Sequence, residues 1–459
     1  MARRLWDKGE ALHPEILAYT VGDDHVLDLE LVEEDVWGSL AHARMLEEQG
    51  IISPDDRRAI ARGLVTVLAQ HRQGELRISP EEEDVHTAVE GRLAELVGEP
   101  GRRLHTGRSR NDQVLVDVRL FTRRRLLDAA DAGLALARAL LELARDHEAV
   151  VMPGYTHLRQ AMPSSVGLWA GGHAECVADS IEALLDAYRA CDRCPLGSAA
   201  GFGVPLPLNR RRTAALLGFS RLQVNAQAAQ SSRGKPEGQA LFAAVLLGQD
   251  LARLAWDLQL YTGPEFGFFR LAPDVATGSS IMPQKRNPDV LELTRAQSGV
   301  LHAHLERVLL VTGKLPSSYH RDYQLTKEPV LKGLRLARAM TRAMELTVSG
   351  LDVERERAEA AVAGEAFGAH RALELAAQGV PFRDAYRQVG EEIAGGRLKR
   401  PDDLDAVRRA YASEGSPGDL RLDDATARLT DLGAHARGAR AALEACFADL
   451  EREAAGGAE

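Results

Sequence analysis

The chain has 459 residues, with 57 Lys and Arg against 67 Asp and Glu, a formal net charge of −10. At about 100–200 residues per domain this is too much for one compact core, so two to four domains are expected. An acidic balance gives no electrostatic reason to expect nucleic acid as the main partner. Hydrophobic residues at 45% and charged residues at 27% argue against wholesale disorder. Aromatics reach only 5% while Ala, Leu, Arg and Glu dominate, the composition of a helical protein. Cys176, Cys191, Cys194 and Cys446 are too few to staple so long a chain and read as thiols of a reducing interior. The segment MARRLWDKGEALHPE has no apolar core, against a secretory signal, and no run of 18 apolar residues suggests a membrane span. The expectation is a soluble, cytoplasmic, mostly helical protein.

In chain order, long helical periodicity begins at Leu126, Ala130, Gly133, Ala137, Leu141 and Ala144. It returns at Leu247, Leu251, Leu254 and Leu258, then at Leu301, Leu305, Val308 and Thr312. A fourth stripe runs Leu334, Ala337, Thr341, Met344, Val348 and Leu351. Steps of three and four place one apolar stripe on each helix and suit bundle packing. The stretch LFAAVLLGQDLARLAWDL (241–258) is apolar on more than one side and must be covered all round. That points to a bundle shared between subunits, hence an oligomer. Glycine and proline interrupt the helices at 150–157, 195–210 and 261–289, and again in the shorter segments near the carboxyl end. The final EREAAGGAE reads as a frayed tail.

Four stretches carry chemistry-bearing residues. LHTGRSRNDQVLVD (104–117) gathers His105, Arg108, Arg110, Asn111, Asp112 and Gln113 around Gly107. Guanidinium groups bind carboxylates through paired hydrogen bonds, so this is either a carboxylate pocket or a solvated arginine loop ahead of a helix. MPGYTHLRQAMP (152–163) places Tyr155, Thr156 and His157 at an expected loop-to-helix junction. The histidine is a general acid–base candidate, with a structural role as the alternative. TGSSIMPQKRNPDVLEL (277–293) supplies Ser279, Ser280 and Lys285, then Asn287 and Pro288 as an expected helix start, with Glu292 on its first turns. A phosphate cradle is the alternative, but the GxxxxGK[ST] pattern is absent. PSSYHRDYQLTKEP (316–329) offers Tyr319, Arg321, Asp322, Gln324 and Lys327 and on its own reads as a surface turn.

Cys191-x-x-Cys194 lacks the second pair a zinc site needs, and His302 and His304 fall on different helix faces. With no HExxH, EF-hand or dinucleotide-binding glycine pattern, no cofactor or metal is expected.

Together with GSLAHARML (38–46), EDVHTAVEGRL (83–93) and PLGSAA (195–200), these motifs resemble the argininosuccinate lyase branch of the fumarase/aspartase superfamily. GSSIMPQKRNPD marks the superfamily, and HTGRSRNDQ narrows the likeness to that branch. The resemblance implies an all-α fold of three domains: an N-terminal helical domain (1–111), a central long-helix bundle with the catalytic loop (112–360) and a small C-terminal helical domain (361–459). It implies reversible anti elimination of argininosuccinate to arginine and fumarate in arginine synthesis, without cofactor. A homotetramer with sites shared between subunits is implied as well. Ser279 would be the base, activated by Lys285 and backbone N–H groups; His157 is the matching acid candidate, paired with Glu292. Which of Ser279 and His157 performs which proton transfer stays open. Lys285, Asn287 and loop amides would stabilise the dianionic intermediate. Asn111, Thr156, Tyr319, Gln324 and Lys327 fall on the family's substrate-binding positions, with Arg110 beside them.

The chain also departs from the family pattern. LWDKGEAL (5–12) replaces LWGGRF, a substrate-binding serine becomes Asp24, QSSRGKPE (230–237) with Arg233 replaces SDRD, and His320 stands where Asn is usual. The rival readings are a lyase on another N-succinyl compound and a non-catalytic, crystallin-like structural protein.

Overall fold

The computed structural model describes residues 12–456, so most of the divergent LWDKGEAL segment and residues 457–459 lie outside the described residues. Short helices at Pro14–Val21 and Asp24–Leu27 open the described chain, and three longer ones follow: α1 (Val32–Glu48), α2 (Pro54–Arg72) and α3 (Val85–Val97). Ser53 and Asp56 form a reciprocal cap at the start of α2, and Asp84 caps α3 by accepting from the Thr87 N–H.

Five long helices follow: α4 (Arg110–Asp146), α5 (Val166–Cys191), α6 (Lys235–Tyr261), α7 (Asp289–Thr312) and α8 (Lys327–Ser349). α4 has 37 residues, about 55 Å at 1.5 Å per residue. It packs on α5 and α8, while α6 packs on α5, α7 and α8. Each apolar stripe expected from spacing faces this bundle, and the α4, α6 and α8 stripes are buried throughout. Gly133 lets α4 and α5 approach closely; a Cβ there would stand 2.8 Å from Ile181 Cγ1. α6 nevertheless leaves Phe242 and Trp256 about half exposed in the single chain.

Between α4 and α5 lies an antiparallel hairpin, β1 (Val151–Thr156) and β2 (Arg159–Ser165). It replaces the expected loop-to-helix junction at 152–163. His157 and Leu158 form the two-residue turn, both left-handed at φ 54° and 56°, the twist that a tight hairpin requires. Gly154 pairs with Met162 and Tyr155 with Gln160, so Ala161 is an extra residue and the strand bulges there.

The last helix, α9 (Leu422–Gly456), returns along α1, α2, α4 and α5, with Phe447 stacked on Trp37 at 3.9 Å. The supposed frayed tail is therefore helical as far as Gly456. Packing of Leu443, Phe447, Leu450 and Ala454 on the core is what holds it. One contiguous apolar core runs from Leu31 to Ala454. Two small cores stand apart from it: Val151 with Val362, Ala366, Phe367, Leu404 and Val407, and Ala372 with Leu375, Ala385 and Val389. Among the described residues no helix is long and apolar enough to cross a membrane.

Candidate functional site

The start of α4 anchors the site. Ser109 caps the helix, and the buried Asp112 carboxylate accepts the Ser109 N–H at 2.9 Å. The other Asp112 oxygen accepts the N–H groups of Gly197 at 2.9 Å and Ala199 at 2.7 Å, tying the PLGSAA loop to this helix end. Arg110 and Asn111, on the first turn, line a cavity of about 430 Å³. The amino-terminal segment, α4, the approach to α6, and the 319–327 segment all contribute walls. Asp24, Tyr319, Gln324 and Lys327 belong to the same lining. Six of the sequence-selected residues thus meet at one place, and the 316–329 stretch contains a short 3-10 helix (Arg321–Thr326) leading into α8, with Tyr323 and Thr326 buried and Arg321, Asp322 and Leu325 exposed.

Charge in the cavity is held in pairs. Lys327, the first residue of α8, is buried with Nζ 2.5 Å from Asp28 Oδ1 and 3.1 Å from Asp24 Oδ2. Burial works against its ammonium, but the two carboxylates more than offset this and raise its pKa. Burial pushes the Asp24 carboxyl up to about 6 against the pull of Lys327, with Asp28 adding repulsion. Arg110 pairs with Asp84 and lies 3.5 Å from Glu83, which also receives Arg321 at 2.5 Å. Gln324 Nε2 donates to the Thr20 and Val21 carbonyls at 3.0 and 3.3 Å and closes the wall toward the amino-terminal segment.

Arg233, from the segment that stands in place of SDRD, is a buried wall residue. Its guanidinium lies 5.4 Å from the Tyr319 ring centroid and 4.8 Å from that of Tyr323. Nη1 is buried without a hydrogen-bond partner among the described residues. Only the arginine within QSSRGKPE signalled it. Deeper in the wall, His86 Nδ1 lies 2.8 Å from Asp35 and 3.6 Å from Asp117. These three are the described group whose donor atoms could surround an ion. Burial opposes the His86 charge, but its bond to Asp35 and the surrounding carboxylates outweigh this and raise the pKa. Cys191 and Cys194 are buried free thiols, pushed by burial up to about 12 and about 11, which makes them poor nucleophiles.

Two further groups lie elsewhere on the chain. Thr156 and His157 sit at the exposed end of the hairpin, braced by Tyr155 against Tyr261 and Phe266. The 277–287 loop is closed on itself. Thr277 and Asn287 exchange backbone bonds at 3.0 and 2.8 Å, and Asn287 Nδ2 donates to the Gly278 carbonyl at 3.1 Å. Asn287 is therefore the clasp of the loop rather than the cap of α7, whose first residue is Asp289 after Pro288. Ser279 Oγ accepts from the Met282 and Ile281 N–H groups at 3.2 and 3.4 Å. Lys285 is exposed on the same loop, and Glu292 accepts from Gln259 Nε2 at 3.3 Å. None of Thr156, His157, Ser279, Lys285, Asn287 and Glu292 lines the cavity. In one chain all six stand outside the cavity.

The lyase family model matches residues 17–302. Argininosuccinate lyase of Sorangium cellulosum is 48% identical over 429 residues, covering 94% of this chain and 99% of that protein. The enzyme of the same name from Stenotrophomonas maltophilia is 41% identical, covering 93% and 99%. Among solved structures, EDDS lyase in complex with formate matches at a TM-score of 0.81 with 26% identity, covering 97% and 96%. Class II fumarase from Schistosoma mansoni shares the fold at a TM-score of 0.70 with 17% identity, covering 83% and 89%. The helical bundle, the order of the motifs and this near full-length identity agree: the chain belongs to the argininosuccinate lyase family.

Proposed function

We propose that this protein cleaves argininosuccinate reversibly to arginine and fumarate by anti elimination, in arginine synthesis. The observation that carries the reading is the 48% identity over 94% of the chain to a protein of that name. A base removes a proton beside a carboxylate, giving a dianionic aci-carboxylate, and an acid assists departure of the guanidinium nitrogen. Ser279 is the base: two backbone N–H groups meet its Oγ and would stabilise the alkoxide, with Lys285 as the nearby cation. His157, with Glu292, is the acid. Asn287 supports the developing charge. Arg110, Asn111, Thr156, Tyr319, Gln324 and Lys327 bind the substrate, and Asp24 and Arg233 add a carboxylate and a cation to the same wall.

Separation of these groups on one chain supports a homotetramer in which each site draws the cavity, the hairpin and the loop from different subunits. The half-exposed Phe242 and Trp256 on α6 support the same assembly. The reading places the enzyme in the cytoplasm and needs no metal or other cofactor.

Purified protein is expected to release fumarate from argininosuccinate, seen as absorbance of the new double bond, with turnover unchanged by exhaustive chelation. No fumarate from argininosuccinate would overturn the reaction, and activity lost to chelation and restored by one metal would overturn its cofactor-free form. The likeness to EDDS lyase favours one second reading, a lyase on another N-succinyl compound. A substrate panel separates the two, the first requiring argininosuccinate to be the best substrate.

A further inference from the structure

We propose that Gln160 is a positioning residue, whose side chain fastens the hairpin carrying Thr156 and His157 to the carboxyl-terminal segment and so fixes where His157 stands. Gln160 pairs with Tyr155 in the hairpin, one pair away from the Thr156–Arg159 pair that closes the turn. Its amide is satisfied twice by backbone of a distant segment. Nε2 donates to the Ala361 carbonyl at 2.8 Å, and Oε1 accepts the Ala363 N–H at 2.9 Å. Two bonds from one planar group fix both separation and rotation, which a single bond does not.

The base of the hairpin is held by the same segment. Val151 is buried among Val362, Ala366, Phe367, Leu404 and Val407, a core to which no long helix contributes. The 361–407 segment therefore grips the hairpin near both its base and its tip. Between these grips, His157 and Leu158 hold the left-handed angles of the two-residue turn. A residue joined to the clamp through so short a ribbon moves when the clamp opens.

The inference rests on the reading of His157 as a proton carrier, and a double-mutant cycle separates the two. Q160M keeps the length of the side chain and loses both bonds, along with the amide's hydrogen bond to the Tyr155 hydroxyl. It is expected to lower kcat, read at saturating argininosuccinate, about tenfold; KM should rise as well, because Thr156 rides on the same hairpin. In an H157N background Q160M should change the residual turnover by less than about twofold, because the residue it acts through is gone. Equal fold losses in both backgrounds would show a merely structural role and overturn the proposal. Hydrogen exchange reads the clamp without any assay of turnover. In Q160M, amides of 154–158 and 361–367 should exchange faster together while those of α4 stay unchanged, and unaltered exchange at the hairpin would overturn the proposal whatever the substrate.

Discussion

Ser279 needs its neighbours before it can act as a base, since a free serine hydroxyl holds its proton far too tightly. Part of the need is met within the loop, where the Ile281 and Met282 N–H groups point at Oγ. Ser279→Ala is expected to reduce turnover at least about a thousandfold while substrate still binds, because all the proposed binding side chains except Thr156 lie in a separate cavity. Steady-state kinetics with a calorimetric binding measurement check this; a tenth of wild-type turnover would exclude Ser279 as the base. Lys285→Met should be severe too, and Lys285→Arg should not rescue it, a compact ammonium being unlike a planar fork. Asp24 gives the cavity a pH dependence. Its folded pKa of about 6 lies above the ordinary 3.8, so between these values the folded protein holds a proton that the unfolded chain has released. This group's contribution to stability therefore falls as pH rises from about 4 to 6 and is flat above. In the folded protein the Asp24–Asp28–Lys327 cluster gains one negative charge as pH rises through about 6. Fumarate, a dianion, should bind wild type about threefold or more tighter at pH 5.5 than at pH 7.5. Asp24→Ser should flatten that difference, as calorimetry at the two pH values will show; an unchanged pH dependence would exclude Asp24.

At the scale of the element, the α4 start shows how one side chain can hold a site. Asp112 is buried and accepts N–H groups from Ser109, Gly197 and Ala199. Asp112→Ala would leave all three donors without their acceptor and is expected to cost about 3 kcal/mol or more, measured by denaturant unfolding. KM should rise with it, since Arg110 and Asn111 ride on that first turn. The long helices were legible in the sequence because their stripes repeat over about three to five turns, and each repeat adds to the same signal. The hairpin was not. His157-Leu158 lacks the Asn-Gly or Gly that announces a two-residue turn, and Pro153 and Pro163 read as breakers of helix rather than as strand residues. Asn287-Pro288 looked like a cap because local sequence cannot reveal that Asn287 has a stronger partner in Gly278, nine residues back.

For the whole molecule, motif spacing named most of the cavity wall but not how it is joined. Arg233 and Asp28 are bound into it by tertiary contacts with Tyr323 and Lys327, which no local pattern encodes. The hairpin and the 277–287 loop lie outside the cavity of the single chain, and the proposed reaction needs Ser279 and His157 at one substrate. Refolding a mixture of two inactive variants tests this most directly. Chains altered only at His157 and chains altered only at Ser279 are unfolded, mixed equally and refolded. If each site takes these residues from different subunits, a site is intact with probability one half times one half, and about a quarter of wild-type activity should return. If both residues come from one chain, every site carries a lesion, and a mixture that refolds to tetramers yet stays inactive would contradict the shared site.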